Sequence, residues 1–145
     1  MNRGKKFESL IKTALDRVDG VYTLRLYDVC GYTLSPCDYI SYKFPYLYLL
    51  ECKSHQGNTL PFAAISNNQW KYMSEAIKVS KHIKAYVVVW FVDKDVTKVF
   101  DMKYLLLLKD KGKKSVRFDD DVGKDVPAIK KRTYFQYDLK GMFKC

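Results

Sequence analysis

The sequence predicts an α/β fold, a central mixed β-sheet flanked by helices, in one domain covering residues 1–145. Three observations predict it. Phe7, Leu10, Ile11, Ala14, Leu15 and Val18 recur at spacings of three and four, which puts a single apolar stripe on a helix. The segment IKAYVVVWFVD (83–93) is the most apolar of the chain and reads as the central strand. Helical and strand-like segments then alternate in the order αβββαββα, with no internal repeat and no Pro/Gly/Ser linker between them.

The elements follow from local chemistry. The first helix is expected over residues 5–19, ended by Gly20. VYTLRLYD (21–28) alternates apolar and polar residues and reads as a strand. GYTLSPCD is a turn-rich connection. DYISYKF and YLYLLECK flank Pro45 as two strands of a hairpin, and SHQGNTLPF is a polar loop. A second helix is expected over 67–80 with Ser66 as its N-cap. After the apolar strand, TKVFDM reads as its neighbour and KYLLLLKDKG as a short helix closed by Gly112. The tail from Lys113 mixes turns, charge and one last apolar piece.

Composition narrows the class. Hydrophobic residues make up 48% of the 145, enough for a proper core and too many for a disordered chain. The net charge of +10 points to a polyanionic partner, nucleic acid or an anionic membrane surface. The apolar runs fall far short of the roughly 20 residues that a membrane-spanning helix needs. The basic N-terminus has no apolar signal core behind it, so the expected location is the cytoplasm, with no membrane partner. Cys30, Cys37, Cys52 and Cys145 show no CxxC spacing and are expected as free thiols. Cys52 and His55 lack the second close ligand pair of a zinc site.

The chemistry concentrates where YLYLLECK ends. Alternation puts Tyr46, Tyr48, Leu50 and Cys52 on one face of the strand and Leu47, Leu49, Glu51 and Lys53 on the other. Glu51 and Lys53 therefore project together, about 7 Å apart along the strand. If the hairpin pairs through the turn at 43–45, Asp38 at the start of one strand lies beside Glu51 and Lys53 at the end of the other. Two neighbouring carboxylates repel and call for a cation, and oxygen ligands select Mg²⁺ or Mn²⁺. Such an ion activates water and polarises a phosphodiester, while a lysine stabilises the developing charge. An isolated ExK tripeptide is more simply an exposed ion pair at a strand end. Asp38 at a hairpin-compatible position, the apolar approach to the charges and the basic net charge favour a site.

Asp38 followed by Glu51-Cys52-Lys53 matches the PD-(D/E)xK nuclease pattern, with the proline two places before the aspartate as Pro36-Cys37-Asp38. Beyond that motif, NRGKKFE, CDYI, YLYLLECKSHQGNTLPF and NNQWKYM, then VVVWFV, GKKSVRF and RTYFQYDL, resemble in order the RecU family of Holliday junction resolvases, most closely its short phage-encoded forms. The resemblance covers nearly the whole chain. It implies the PD-(D/E)xK restriction-endonuclease-like fold and a homodimer that nicks four-way DNA junctions in recombination and repair. By position it implies Asp38 and Glu51 as metal ligands, with the Cys52 carbonyl as a third. Lys53 would be the catalytic lysine, Glu8 a further acid carried by the first helix, and Gln69 a residue of the second helix orienting water or DNA. One departure stands out. Larger members carry a long stalk before the aspartate motif, whereas only twelve residues, 26–37, separate Arg25 from Asp38 here. A non-cleaving branched-DNA accessory protein and a restriction- or repair-type nuclease on the same fold are the alternative functions.

The remaining candidates carry two readings each. Glu8 borders the apolar stripe and is either solvated or part of the site; Gln69 either decorates a helix start or reaches the site. Arg3, Lys5 and Lys6 form a basic N-terminal arm, Lys113, Lys114 and Arg117 a second cluster beside the acidic run 119–121, and Lys130, Lys131 and Arg132 a third. Clusters of this kind supply the charge density that phosphates need, although single lysines are usually just solvated. Arg25, midway along its expected strand among apolar neighbours, needs an anion, either a DNA phosphate or a site carboxylate. His55 and Gln56 fall in the loop after Lys53, within reach of a scissile strand or simply in solvent. The tyrosines are mostly expected in the core and at a dimer surface, with a few stacking on bases.

Overall fold

A computed structural model describes residues 2–28 and 34–143. In chain order its elements are α1 (Arg3–Asp16), β1 (Tyr22–Arg25), β2 (Tyr39–Lys43), β3 (Tyr46–His55), β4 (Thr59–Pro61), α2 (Asn67–Val79), β5 (Ile83–Phe91), β6 (Val96–Asp101), α3 (Met102–Asp110), β7 (Ser115–Arg117), β8 (Gly123–Asp125), β9 (Ala128–Lys130) and β10 (Phe135–Tyr137). Six strands form a mixed sheet in the order β1-β2-β3-β5-β6-β8. β3 and β5 run parallel at its centre, and the other neighbours are antiparallel. The expected α/β architecture is present.

The sheet separates two cores, as the alternation in β3 requires. Tyr48, Leu50 and Cys52 pack with Phe7, Ile11, Ala14 and Leu15 of α1. Leu49 of the opposite parity packs with Trp70 and Met73 of α2 and Leu105 of α3. Leu15, Leu50, Met73 and Leu105 are fully buried, each worth roughly 1.5–3 kcal/mol of transfer free energy.

Several boundaries differ from expectation. α1 begins at Arg3 because the Asn2 side chain accepts the Lys5 N–H at 2.8 Å, so Arg3, Lys5 and Lys6 lie within the helix and do not form a loose arm. It closes at Asp16, where the Arg17 amide turns back onto Ala14 and Leu15, and Gly20 follows at φ 77°. β1 is limited to four residues, paired with four of the five residues of β2 from Tyr22↔Tyr42 to Arg25↔Tyr39, so Arg25 ends its strand instead of sitting midway. β3 continues past Lys53 to His55, held by parallel pairing with β5 as far as His55↔Phe91. His55 is therefore a strand terminus and not a loop residue. The expected polar loop contains β4, paired with β7 of the tail, and the tail adds the β9–β10 hairpin. Cys30 and Cys145 lie outside the described residues; Cys37 and Cys52 are buried free thiols. Among the described residues no helix is long and apolar enough to cross a membrane.

Candidate active site

The site grows from the β2–β3 register. The last paired residues are Tyr39↔Leu50, and one step beyond them Asp38 lies beside Glu51. The Asp38 backbone is anchored on both sides: its carbonyl accepts from the Leu26 N–H at 2.9 Å and its N–H donates to the Leu50 carbonyl at 3.0 Å. The carboxylate extends the ladder further. Its Oδ2 accepts the Cys52 N–H at 2.8 Å, where another backbone carbonyl would otherwise stand.

On the α2 side of the sheet, Glu51 is only 3% exposed. Its Oε2 meets the Lys53 ammonium at 3.1 Å, and its Oε1 is buried with no hydrogen-bond partner. Burial, and then the nearby Asp38 charge, push the Glu51 carboxyl up to about 7, against the opposing pull of Lys53 and the Gln69 side chain. Gln69 is placed by a capping box: Ser66 Oγ accepts the Gln69 N–H at 3.1 Å, and Gln69 Oε1 accepts the Ser66 N–H at 3.0 Å. With its carbonyl spent on the cap, Gln69 has its amide nitrogen left for the side facing Glu51.

On the α1 side, Arg25 donates to Glu8 at 2.9 Å and to Asp38 Oδ1 at 3.1 Å. Its guanidinium lies over the rings of Tyr39 and Tyr27, at 5.2 and 5.4 Å from their centroids. The Tyr39 hydroxyl donates to the Glu8 carbonyl at 2.9 Å and ties α1 to the sheet. Burial, and then Asp38, raise the Glu8 carboxyl above its ordinary value, with Arg25 opposing. The anion partners of Arg25 are therefore Glu8 and Asp38. Sequence reasoning passed over Tyr39 and Tyr27; aromatic residues close to an unpaired strand arginine were the available signal.

Asp38, Glu51, Lys53, Gln69, Arg25 and Glu8 thus form one connected constellation around Asp38. The Cys52 thiol points into the α1 core and burial raises it well above the ordinary thiol range, so only its backbone carbonyl can serve as a donor. Among the described residues no three His, Cys, Asp or Glu side chains converge as a metal-ligand group. Two carboxylates nevertheless fit Mg²⁺, which usually keeps several waters and takes one or two carboxylates. The unpartnered Glu51 Oε1 beside Asp38 is the oxygen such an ion would satisfy.

The basic clusters separate. Lys5 lines a groove of about 560 Å³ with Glu8, Arg25, Tyr27 and Tyr39. Arg3 and Lys6 face the opposite flank of α1, where they meet Lys130, Lys131 and Arg132. Lys113 and Lys114 are exposed beyond α3, and Arg117 is paired to Asp119 at 2.9 Å, which leaves that cluster partly neutralised.

No protein-family profile matches the chain. No curated protein matches it. Among solved structures it is similar to Hjc of Archaeoglobus fulgidus, a Holliday junction resolvase from an archaeal hyperthermophile, at a TM-score of 0.60 and 18% identity over 84% of this chain and 95% of that one. At that identity the likeness is one of fold, a mixed central sheet flanked by helices, on which this chain carries Asp38 just ahead of β2 and Glu51-Cys52-Lys53 in the second half of β3.

Proposed function

We propose that this chain is a divalent-metal-dependent, structure-selective DNA endonuclease of the RecU resolvase type, a single 1–145 nuclease unit that nicks four-way junctions as a homodimer. The observation that carries the reading is Glu51: a buried carboxylate with one oxygen on Lys53 and the other unpartnered, beside Asp38. A purely structural ion pair gains nothing from a buried orphan oxygen, which costs about 1–3 kcal/mol. The likeness in fold to a Holliday junction resolvase supports the substrate class.

In this reading Asp38 and Glu51, with the Cys52 carbonyl, hold Mg²⁺ or Mn²⁺. Bound there, the ion supplies Lewis-acid polarisation of the phosphodiester and a more acidic water. Lys53 shares the face of Glu51 and places its ammonium where charge builds on the phosphate oxygens. Gln69 orients the Glu51 side and a water. Glu8 and Arg25 fix the Asp38 carboxylate, so their role is positioning. The homodimer has a natural surface in β1–β2, where Tyr22, Leu24 and Tyr42 share the sheet face of Leu47 and Leu49 and are 66%, 50% and 45% exposed.

The test is cleavage of a labelled four-way junction and a matched linear duplex with Mg²⁺, Mn²⁺ or chelator. Paired symmetric nicks on the junction alone, lost with chelator, are the expected outcome. Cutting of both substrates keeps the nuclease and removes the resolvase, as for a repair-type enzyme. Binding without cutting under every metal condition overturns the proposal in favour of an accessory binder.

A further inference from the structure

Across α1 from the carboxylate site, the fold assembles a groove that neither the motif nor the chemistry above uses. Two basic clusters from opposite ends of the chain meet there: Arg3 and Lys6 from the first turns of α1, and Lys130, Lys131 and Arg132 from the tip of the β9–β10 hairpin. Lys6 Nζ donates to the Thr133 carbonyl at 3.1 Å and closes the two banks together. No carboxylate lines the groove. Five cations without a counter-anion among the lining residues describe a place for phosphate.

The walls are aromatic. Trp90, Tyr134 and Phe135 line the same groove, and Trp90 stands 6.0 Å from Phe7 in a tilted pair. The Tyr134 side is open, at 41% exposure, and the Trp90 indole N–H is buried with no hydrogen-bond partner. The volume, about 430 Å³, lies within the range of small-ligand pockets. Trp90 pairs in register with Ser54, one residue past Lys53, so the groove opens at the same end of the parallel strands as the catalytic candidates. Cations beside aromatic faces with no sequence-reading geometry are the chemistry of single-stranded nucleic acid binding, in which bases stack and phosphates ride on charge.

We propose that this groove holds an unpaired nucleotide of branched DNA, its base against Tyr134 and the Trp90–Phe135 wall and its phosphate on the Lys6–Arg132 side. The inference rests on the branched-DNA reading above and adds to it the part of the substrate that is recognised: a base freed from pairing at the branch point. It gives the enzyme a contact that linear duplex cannot satisfy.

The test uses the full-length Asp38→Asn protein, so that it does not depend on cleavage. Oligothymidylate is titrated at low salt and tryptophan fluorescence is followed, with inorganic polyphosphate as the base-free control. The chain has two tryptophans, and Trp70 is buried in the α2 layer with its N–H on the Phe62 carbonyl, so Trp90 is the responsive one. Saturable quenching by oligothymidylate, absent in Trp90→Phe, is the expected result. Tyr134→Ala, a surface change, should weaken binding about tenfold or more. Lys131→Ala with Arg132→Ala should flatten the salt slope by about 1.4, the value for two lost contacts to a single strand. Equal affinity for polyphosphate, with Tyr134→Ala silent, would reduce the groove to a charged patch and overturn the proposal. Quenching that tracks protein concentration instead of oligonucleotide would assign the groove to a second copy and also overturn it. If wild-type protein cuts junctions while oligothymidylate leaves fluorescence unchanged, the groove proposal fails and the nuclease stands. If quenching occurs and no DNA is ever cut, the reverse holds.

Discussion

The two charge clusters that meet at Asp38 each set carboxylates against one basic side chain and are satisfied to different degrees. On the α1 side, Arg25 bonds both Glu8 and Asp38 and is backed by two tyrosine rings. On the α2 side, Glu51 is more deeply buried, has Lys53 on one oxygen and, although the Gln69 side chain lies near, no hydrogen bond on the other. The first arrangement repays its desolvation with hydrogen bonds and holds a carboxylate still. The second leaves part of that cost standing, which is what a site does when a ligand is meant to complete it.

The contrast can be broken by experiment. The largest expected effect is from Glu51→Gln or Asp38→Asn. Junction cleavage should fall by about a hundredfold or more while junction binding persists. Undiminished cutting by either variant removes the site assignment. Glu51→Gln should also raise the melting temperature of the chelated protein at pH 8, since it deletes a buried charge. Lys53→Ala should cost cleavage on a similar scale and should also lower the melting temperature at pH 8, because it leaves the buried Glu51 carboxylate without its cation.

Arg25→Ala should behave in the opposite way on stability. Leaving Glu8 and Asp38 without their partner should cost about 1–3 kcal/mol, read by urea denaturation. A variant as stable as wild type would mean that the α1 cluster is no better satisfied than the other.

A pH series sharpens the comparison further. The Glu51 carboxyl is raised to about 7, so the folded state holds its proton more tightly than the unfolded chain does. Its contribution to stability is complete below about pH 4.5 and is lost as pH rises through about 7. Chelated wild type should lose melting temperature across that window, and Glu51→Gln should lose less; identical profiles would contradict the buried charge. Saturating Mg²⁺ should restore the loss on the alkaline side, where the carboxylate is free of its proton. The smallest effect is expected from the basic residues. Removing Arg3, Lys5 and Lys6 together should weaken junction binding and flatten its salt dependence by two to three units, at about 0.9 per phosphate contact. An unchanged slope would show that the start of α1 touches no phosphate.

Much of the site was legible because a period of two is unforgiving. Alternation in YLYLLECK assigned Glu51 and Lys53 to one face and Cys52 to the other, and the placing of Asp38 beside Glu51 followed from a hairpin turning at 43–45. The Ser66 cap was equally plain, and its S-x-x-Q spacing could have told that Gln69 closes the capping box. Less visible were contacts between elements distant in sequence. Nothing local in AIK or FQY, each three residues long and beside KKRT, signals a hairpin, and nothing in RGKK signals that it faces that hairpin across α1. The extension of β3 to His55 depended on the length of β5, and the partners of Arg25 on the packing of a helix. Both are tertiary facts.

The anchoring of Asp38 reaches beyond chemistry. Its backbone is clamped between Leu26 and Leu50, and its side chain rests on the Cys52 amide. All three partners lie in the sheet or directly beside it, so the ladder that aligns the strands also fixes this carboxylate. Asp38 is surveyed into place like a benchmark set in bedrock, and it would shift only if the strands around it slipped register.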